Sequence, residues 1–388
     1  MTTTAMICEF NPLHNGHKYI IEQALRITDG SPLICLMSGN YVQRGEPAIF
    51  SKWARTRAAL LCGADLVLEL PSLYAASSAE YFATGAVAIL NAMGVADKLV
   101  FGIEAENYAA VGAYVAERMA DEKAFFTRAK VHMEDGQSYC QAAAISAEPG
   151  SNNILAAEYL CALKRSSSPI TPIPVPRSGC KSHGETATAI RKELFTTGKL
   201  SESPIPSEAK EIFELEIRSG RGPVNAAFCE NYIFSVLRTS TPDQLAGLPF
   251  VSEGLEYKLI KEAMNCGSLA ELLKRCTSKR YPRGRIKRIL TALLTGIQAD
   301  QLEVFRYTPP YIRALGWNQT GRELFQAIAR QSNVPVFAQC SEGLRILTGT
   351  ALKVLENEIR STDLYALGFP APSMRKGQLE LTEKIVIV

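Results

Sequence analysis

No apolar run in this 388-residue chain approaches the roughly twenty residues that a membrane-spanning helix needs, which excludes a helical span from the reading. Basic residues are missing from Met1-Thr2-Thr3-Thr4-Ala5, and the apolar stretch after them runs into a polar turn, so no signal peptide is predicted. Cys-x-x-Cys pairs are absent as well. The ten cysteines are scattered, and Cys8, Cys35, Cys62 and Cys161 lie inside apolar segments; free thiols in a reducing cytoplasm account for that better than disulfides or zinc. Net charge is also lacking: 42 basic against 39 acidic residues leave +3, too little to mark the whole chain as a binder of polyanions. No internal repeat occurs, and the only biased stretch is Ser166–Pro176. The two tryptophans, Trp53 and Trp317, are read as packing residues.

What is present is a globular composition, 47% hydrophobic and 21% charged, long enough for two or more domains. Five short apolar segments bounded by turn residues are predicted strands: Thr4–Glu9, Pro32–Met37, Asp65–Leu70, Lys98–Phe101 and Ile170–Val175. Helical patterns lie between them, near Gly16–Thr28, Ser51–Cys62, Ser78–Met93 and Asn107–Glu134. Such alternation implies right-handed crossovers and an α/β fold, a Rossmann-like doubly wound parallel sheet whose ligand sits beyond the carboxyl ends of the strands. From about residue 200 the pattern turns mainly helical, through Ser207–Arg218, Ala226–Ser240 and Leu255–Arg275. The expected organisation is an α/β domain over residues 1–198 and a mainly helical region over 199–388. A small α/β tail from about residue 310 would hold a helix from Gly321 and strands at Pro335-Val336-Phe337 and Lys384–Val388.

Chemistry concentrates where the first strand ends. Asn11-Pro12-Leu13-His14-Asn15-Gly16-His17 places two of the four histidines three residues apart at a helix start. A helix N-terminus favours an anion, Gly16 permits close backbone approach, and imidazoles donate to oxygens on which charge builds up, so the turn reads as a clamp for the phosphates of ATP. Thr186-Ala187-Thr188-Ala189-Ile190-Arg191-Lys192, preceded by Arg177, reads as a second phosphate cradle or as an amphipathic helix with a threonine cap. The strand-end loop Ser38-Gly39-Asn40, with Tyr41 to Glu46 and Phe50-Ser51-Lys52 after it, suits phosphate or carboxylate contacts, or is an ordinary polar loop. Gly102 lets an adenine or ribose lie against the backbone or simply turns the chain, and Ser151-Asn152-Asn153-Ile154 is a helix cap or a ribose contact. His132 is read as structural or exposed, and His183 as a minor ligand candidate beside the second cradle. Residues 274–288 hold eight basic side chains and no acidic one, with Tyr281 interleaved, a pattern suited to a nucleic-acid backbone and a stacked base.

These strings carry a resemblance. His14-Asn15-Gly16-His17 and Thr186–Arg191 resemble the two signatures of the nucleotidylyltransferase superfamily. Within it, Glu9-Phe10-Asn11-Pro12-Leu13-His14-Asn15-Gly16-His17, the stretch Met37–Ala48 and Ser151-Asn152-Asn153-Ile154-Leu155 are similar to the bacterial tRNA(Met) cytidine acetate ligase family over most of the chain. Two departures are minor: Leu13 stands where an aromatic is common, and Thr186 where serine is usual. The resemblance implies a nucleotidylyltransferase-type sheet and ATP-dependent activation of acetate as acetyl-adenylate. The acetyl group then passes to the N4 amine of the wobble cytidine of elongator tRNA(Met), giving N4-acetylcytidine, AMP and pyrophosphate.

On that reading His14 and His17 are catalytic at the α-phosphate. ATP is lined by Ile7, Cys8, Glu9, Phe10, Asn11, Pro12, Leu13, Asn15, Gly16, Lys18, Tyr19 and Ile20 around the histidines. Gly102 and Asn152 contact the nucleoside, Arg177 a phosphate or the ribose side, and Thr188 and Arg191 the β and γ phosphates. Asn40 lies near the acetate or adenylate, while Lys279, Arg280, Arg283, Arg285, Lys287 and Arg288 meet the tRNA. Mg²⁺ bridges the phosphates without protein ligands, and neither a membrane nor a protein partner is implied. Two rivals remain: a small-molecule adenylyltransferase of cofactor metabolism, which leaves the basic segment unexplained, and a non-catalytic RNA-binding protein, which leaves both cradles unexplained.

Overall fold

Alternating side chains of the first strand, Thr4–Cys8, serve both faces of a sheet: Ala5 and Ile7 point into one core, Met6 and Cys8 into the other. The computed structural model describes residues 2–104, 108–125, 127, 151–176, 187–200 and 203–388. Eight strands form one sheet in the order Val386–Ile387, Ile312–Trp317, Leu66–Leu70, Leu33–Ser38, Thr4–Cys8, Lys98–Ile103, Thr171–Pro176, with Val336–Phe337 also paired to Ile312–Trp317. Only the junction of Leu66–Leu70 with Ile312–Trp317 is antiparallel. The chain winds outward through Leu33–Ser38 to Leu66–Leu70, then returns to the far side of Thr4–Cys8 through Lys98–Ile103. The direction of winding therefore reverses at the first strand, and the crevice at its carboxyl end is where such sheets receive ligands.

Helices Ala79–Met93, Tyr108–Ala120 and Ser151–Arg165 cover one face; Asn15–Ile27, Lys52–Leu61, Ala187–Thr197 and Ser207–Arg218 cover the other. A third core unites Glu230–Thr239, Leu255–Asn265, Leu269–Cys276 and Arg283–Thr295 with Tyr365 and Ala366 of the helix Gly349–Ala366. Phe50 stacks on Phe213 with centroids 4.5 Å apart, tying the loop before Lys52 to the first helix of the later half. Such a pair adds about 0.5–1.5 kcal/mol beyond area burial. The strand Thr171–Pro176 has proline at every second position, Pro172, Pro174 and Pro176, and pairs on one side only, with Lys98–Ile103. Missing donors are harmless there because they face away from the ladder. All eight described cysteines are free and buried. Among the described residues no helix is long and apolar enough to cross a membrane.

Three features differ from the sequence reading. The stretch Leu255–Arg275 is two helices, because Gly267 breaks the backbone run and Ser268 caps a new start by accepting from Glu271 N. The fourth strand runs on to Ile103. The strand Ile312–Trp317 was not anticipated, since Arg313 interrupts its apolar pattern, and it makes the residues after 310 part of the main sheet.

Candidate active site

At the carboxyl end of the first strand the backbone takes a tight path: Phe10 has φ 49°, and Asn11–Pro12 is a cis bond. His14 then caps the helix Asn15–Ile27 in extended conformation. Its Nδ1 accepts from Gly16 N at 3.0 Å, while its own backbone N donates to His17 Nδ1 at 3.3 Å. This is a capping box built from two imidazoles. Each Nδ1 is an acceptor, so in the neutral rings the hydrogen sits on Nε2, and both side chains are fixed as Nε2–H donors. The rings lie 4.0 Å apart, and Phe10 meets His17 edge-on at 5.2 Å. The first helical amides are already engaged: Asn15 N on Pro204 O at 2.8 Å, Gly16 N on His14, and His17 N on His14 O at 2.8 Å. What this end leaves for an anion is the imidazole donors and the helix dipole more than backbone amides.

Of the residues expected to line ATP, Ile7, Cys8, Phe10, Leu13 and Ile20 belong to the cores, and Tyr19 packs against one of them. Asn11 is buried, and its Oδ1 accepts from Ile49 N at 2.9 Å. Lys18 pairs with Glu208 at 2.9 Å. Glu9 accepts from Gln43 N at 2.6 Å; burial raises its pKa, offset in part by that N–H and by Arg55 and Arg44. Arg191 reaches this turn directly, donating through Nη1 to the Asn11 carbonyl at 2.7 Å and through Nη2 to Thr188 Oγ1 at 3.2 Å. Burial lowers its pKa and nearby Glu46 opposes that. On the other side of the first strand, Asn153 Oδ1 accepts from Glu104 N at 3.2 Å, tying the helix that carries Asn152 to the end of the strand that carries Gly102. Arg177, Thr186, His132 and His183 lie outside the described residues.

Sequence reasoning singled out Asn40 and Lys52 but missed Arg55, Glu69, Arg313 and Glu380, which fix the loops with them. Arg55, fully buried, donates to the carbonyls of Phe50 at 3.0 Å, Glu9 at 2.7 Å and Ser38 at 3.0 Å, and also to Gly39 O. One guanidinium thus joins the ends of the first two strands. Asn40 is also buried; its Oδ1 accepts from Lys52 N at 2.9 Å and its Nδ2 donates to Thr362 Oγ1 at 3.1 Å. Beneath it lies a closed charge cluster. Lys52 Nζ is 2.5 Å from both Glu69 and Glu380, and Arg313 is 3.0 Å from Glu69 and 2.7 Å from Glu380. Burial would raise Glu380, but Arg313 and Lys52 outweigh it and hold the carboxyl down to about 2.

Glu358, whose carboxylate accepts from Ser72 N and Ser72 Oγ, is pushed up to about 8 by burial and by the charge of Glu69. Its ordinary value is 4.5. The native state therefore holds a proton that the unfolded chain has released. Its stabilising contribution is full below the ordinary value and declines as pH rises through the folded one. Glu358→Gln should flatten the fall in melting temperature between about pH 5 and pH 9; an unchanged pH profile would contradict the assignment.

The basic segment is less open than its charge suggests. Tyr281 is buried at 9% exposure, donates its hydroxyl to Glu253 O at 2.7 Å, and is ringed by Lys258, Arg280 and Arg285, so it offers no face to a stacked base. Arg285 donates to Phe250 O at 2.8 Å and Arg280 pairs with Glu253 at 3.2 Å. Lys287 pairs with Glu46 at 2.9 Å, while Arg288, lowered to about 10 by burial, donates to Gln43 O at 3.4 Å. Lys274, Lys279 and Arg283 are exposed. Among the described residues no group of three or more His, Cys, Asp or Glu could hold a metal ion.

A doubly wound sheet with an imidazole pair at the switch point and an arginine tied to the same turn defines a nucleotidyl transferase of the HIGH type, and the HIGH Nucleotidyl Transferase family model matches residues 1–380. Two relatives match the whole chain, the tRNA(Met) cytidine acetate ligases of Acetivibrio thermocellus, 35% identical over 416 residues and covering 100% of both, and of Halothermothrix orenii, 34% identical and covering 100% of this chain and 99% of the relative. The chain belongs to the tRNA(Met) cytidine acetate ligase family. The crystal structure of Thermotoga maritima TmcAL bound with alpha-thio ATP superimposes with a TM-score of 0.90 at 27% identity, covering 100% of this chain and 99% of that one.

Proposed function

We propose that the chain is an ATP-dependent ligase that activates acetate as acetyl-adenylate and joins it to the N4 amine of the wobble cytidine of elongator tRNA(Met). The observation that carries this reading is the imidazole capping box with Arg191 on the same turn, in a chain similar from end to end to proteins named for that reaction. Acetate is a poor electrophile and a ring-conjugated amine a poor nucleophile, so the acyl group must be activated first. An acetate oxygen attacks the α-phosphorus and pyrophosphate leaves; the amine then attacks the acyl carbonyl, AMP departs, and the amine proton is lost. The first displacement needs alignment and charge stabilisation more than acid–base chemistry. His14 and His17 supply Nε2–H donors to the α-phosphate, and Thr188 and Arg191 hold the β and γ oxygens. Magnesium would arrive with the triphosphate and supply further positive charge, with no ligand set from the described residues. Gly102, Asn152 and Arg177 serve the nucleoside side. The natural setting is the cytoplasm.

The helical region from residue 199 would seat the tRNA. Because Arg285 and Arg288 are tied into the fold, the clean test of RNA contact uses Lys279 and Arg283. Lys279→Glu with Arg283→Glu should raise the KM for tRNA roughly tenfold and reduce the salt slope, leaving acetate-dependent pyrophosphate exchange unchanged. Equal loss of both activities would point to misfolding. The reading itself is tested with labelled acetate, ATP, Mg²⁺ and bulk tRNA, digested to nucleosides. ATP-dependent N4-acetylcytidine is expected; ATP cleavage with no label in RNA would favour the small-molecule adenylyltransferase.

A further inference from the structure

Glu46 stands between two parts of the molecule that the proposed reaction uses together. Its Oε1 lies 3.9 Å from Arg191 Nη2, and its Oε2 lies 2.9 Å from Lys287 Nζ. Arg191 is bonded to the Asn11 carbonyl at the histidine turn, whereas Lys287 stands on the basic helix Arg283–Thr295. Glu46 lies on a short hairpin, Tyr41–Val42 paired antiparallel with Glu46–Pro47, that is seated on that helix. Gly45 has φ +69°, and a Cβ there would fall 2.6 Å from Arg288 N, so no other residue fits between loop and helix. Gln43 completes the seating, taking Arg288 on its carbonyl and donating its N–H to Glu9 at the end of the first strand. One short hairpin thus touches the ATP turn and the basic helix, with a single carboxylate shared by a cation from each.

We propose, resting on the function argued above, that Glu46 is a positioning residue through which RNA on the basic helix loosens the hold on the triphosphate. An RNA phosphate near Lys287 competes for its ammonium. Glu46 then turns more of its charge on Arg191 and draws the guanidinium from the phosphate oxygens. By linkage, ATP weakens RNA binding by the same factor. Once the adenylate has formed, the same exchange loosens pyrophosphate as the tRNA settles.

The test is the Kd for ATP with Mg²⁺ and no acetate, measured with and without a saturating unmodified tRNA(Met) transcript, whose own binding is followed by filter retention. In the wild type, tRNA should raise the Kd for ATP at least about fivefold, the lower end of ordinary allosteric couplings. In Glu46→Gln and, independently, in Lys287→Met, the rise should shrink to less than about twofold at saturating tRNA. A wild-type rise retained in both variants overturns the proposal, as does a wild-type protein that binds tRNA with its ATP affinity unmoved. A wild type that binds no tRNA removes the functional reading along with it.

Discussion

His14→Asn and His17→Gln should each lower acetate-dependent pyrophosphate exchange by about 10²–10³-fold, the usual cost of removing one donor to a developing charge. These substitutions separate chemistry from folding. Asparagine is among the best helix caps, and glutamine at the third helical position completes a capping box, so both replace the acceptor that each Nδ1 provides to the backbone. Melting temperatures should therefore stay near the wild type. Alanine at either position loses the cap as well, at about 0.5–2 kcal/mol. If the asparagine and glutamine variants keep full exchange activity, the imidazoles serve only to start the helix, and the assignment of His14 and His17 to the α-phosphate fails.

Lys52→Met should cost about 3–5 kcal/mol of stability, because it strands two buried carboxylates, Glu69 and Glu380, with only Arg313 to balance them. That is a large share of the roughly 5–15 kcal/mol that holds an ordinary domain. Lys52 stays charged despite burial, since Glu380 and Glu69 raise its pKa against the desolvation that would lower it. The double variant Lys52→Met with Glu69→Gln removes one charge of each sign and should recover much of the loss, which chemical unfolding of the three proteins reads directly. A single variant within about 1 kcal/mol of wild type would show that the cluster is not a closed charge balance. The effect should also reach the site, because the Lys52 backbone holds Asn40 and a Cβ on Gly39 would lie 2.9 Å from Glu69.

The sheet of the first half was legible because its strands are short apolar runs bounded by turns, and because Thr4–Cys8 leads straight into the histidine turn. Arg191 was legible from the small hydroxyl residues opening its helix, and it does meet that turn at Asn11. Arg55 was not, and Lys52 was read as suited to phosphate or carboxylate contacts with no sign that it is buried. They lie in Lys52–Leu61, where a basic side chain on a helix ordinarily reads as solvent-exposed, and only the convergence of strand ends and a distant carboxylate buries them. Glu380 and Arg313 reach the same cluster from more than 240 residues away from Glu69 or Lys52, a separation that no local pattern encodes. At the basic run of residues 274–288 the internal partners were hidden for a related reason. Composition reported eight positive charges, but Glu46, Glu253 and backbone carbonyls engage several of them within the fold.

The most direct test of the central claim is to run the complete reaction with acetate labelled by ¹⁸O in both carboxylate oxygens and to weigh the AMP released. Attack of acetate at the α-phosphorus leaves one acetate oxygen on that phosphate when the acyl group moves to cytidine. One ¹⁸O is therefore expected in AMP for each N4-acetylcytidine formed. Label appearing in pyrophosphate or phosphate instead, with unlabelled AMP or ADP, would contradict it and move the activation of acetate away from the histidine turn.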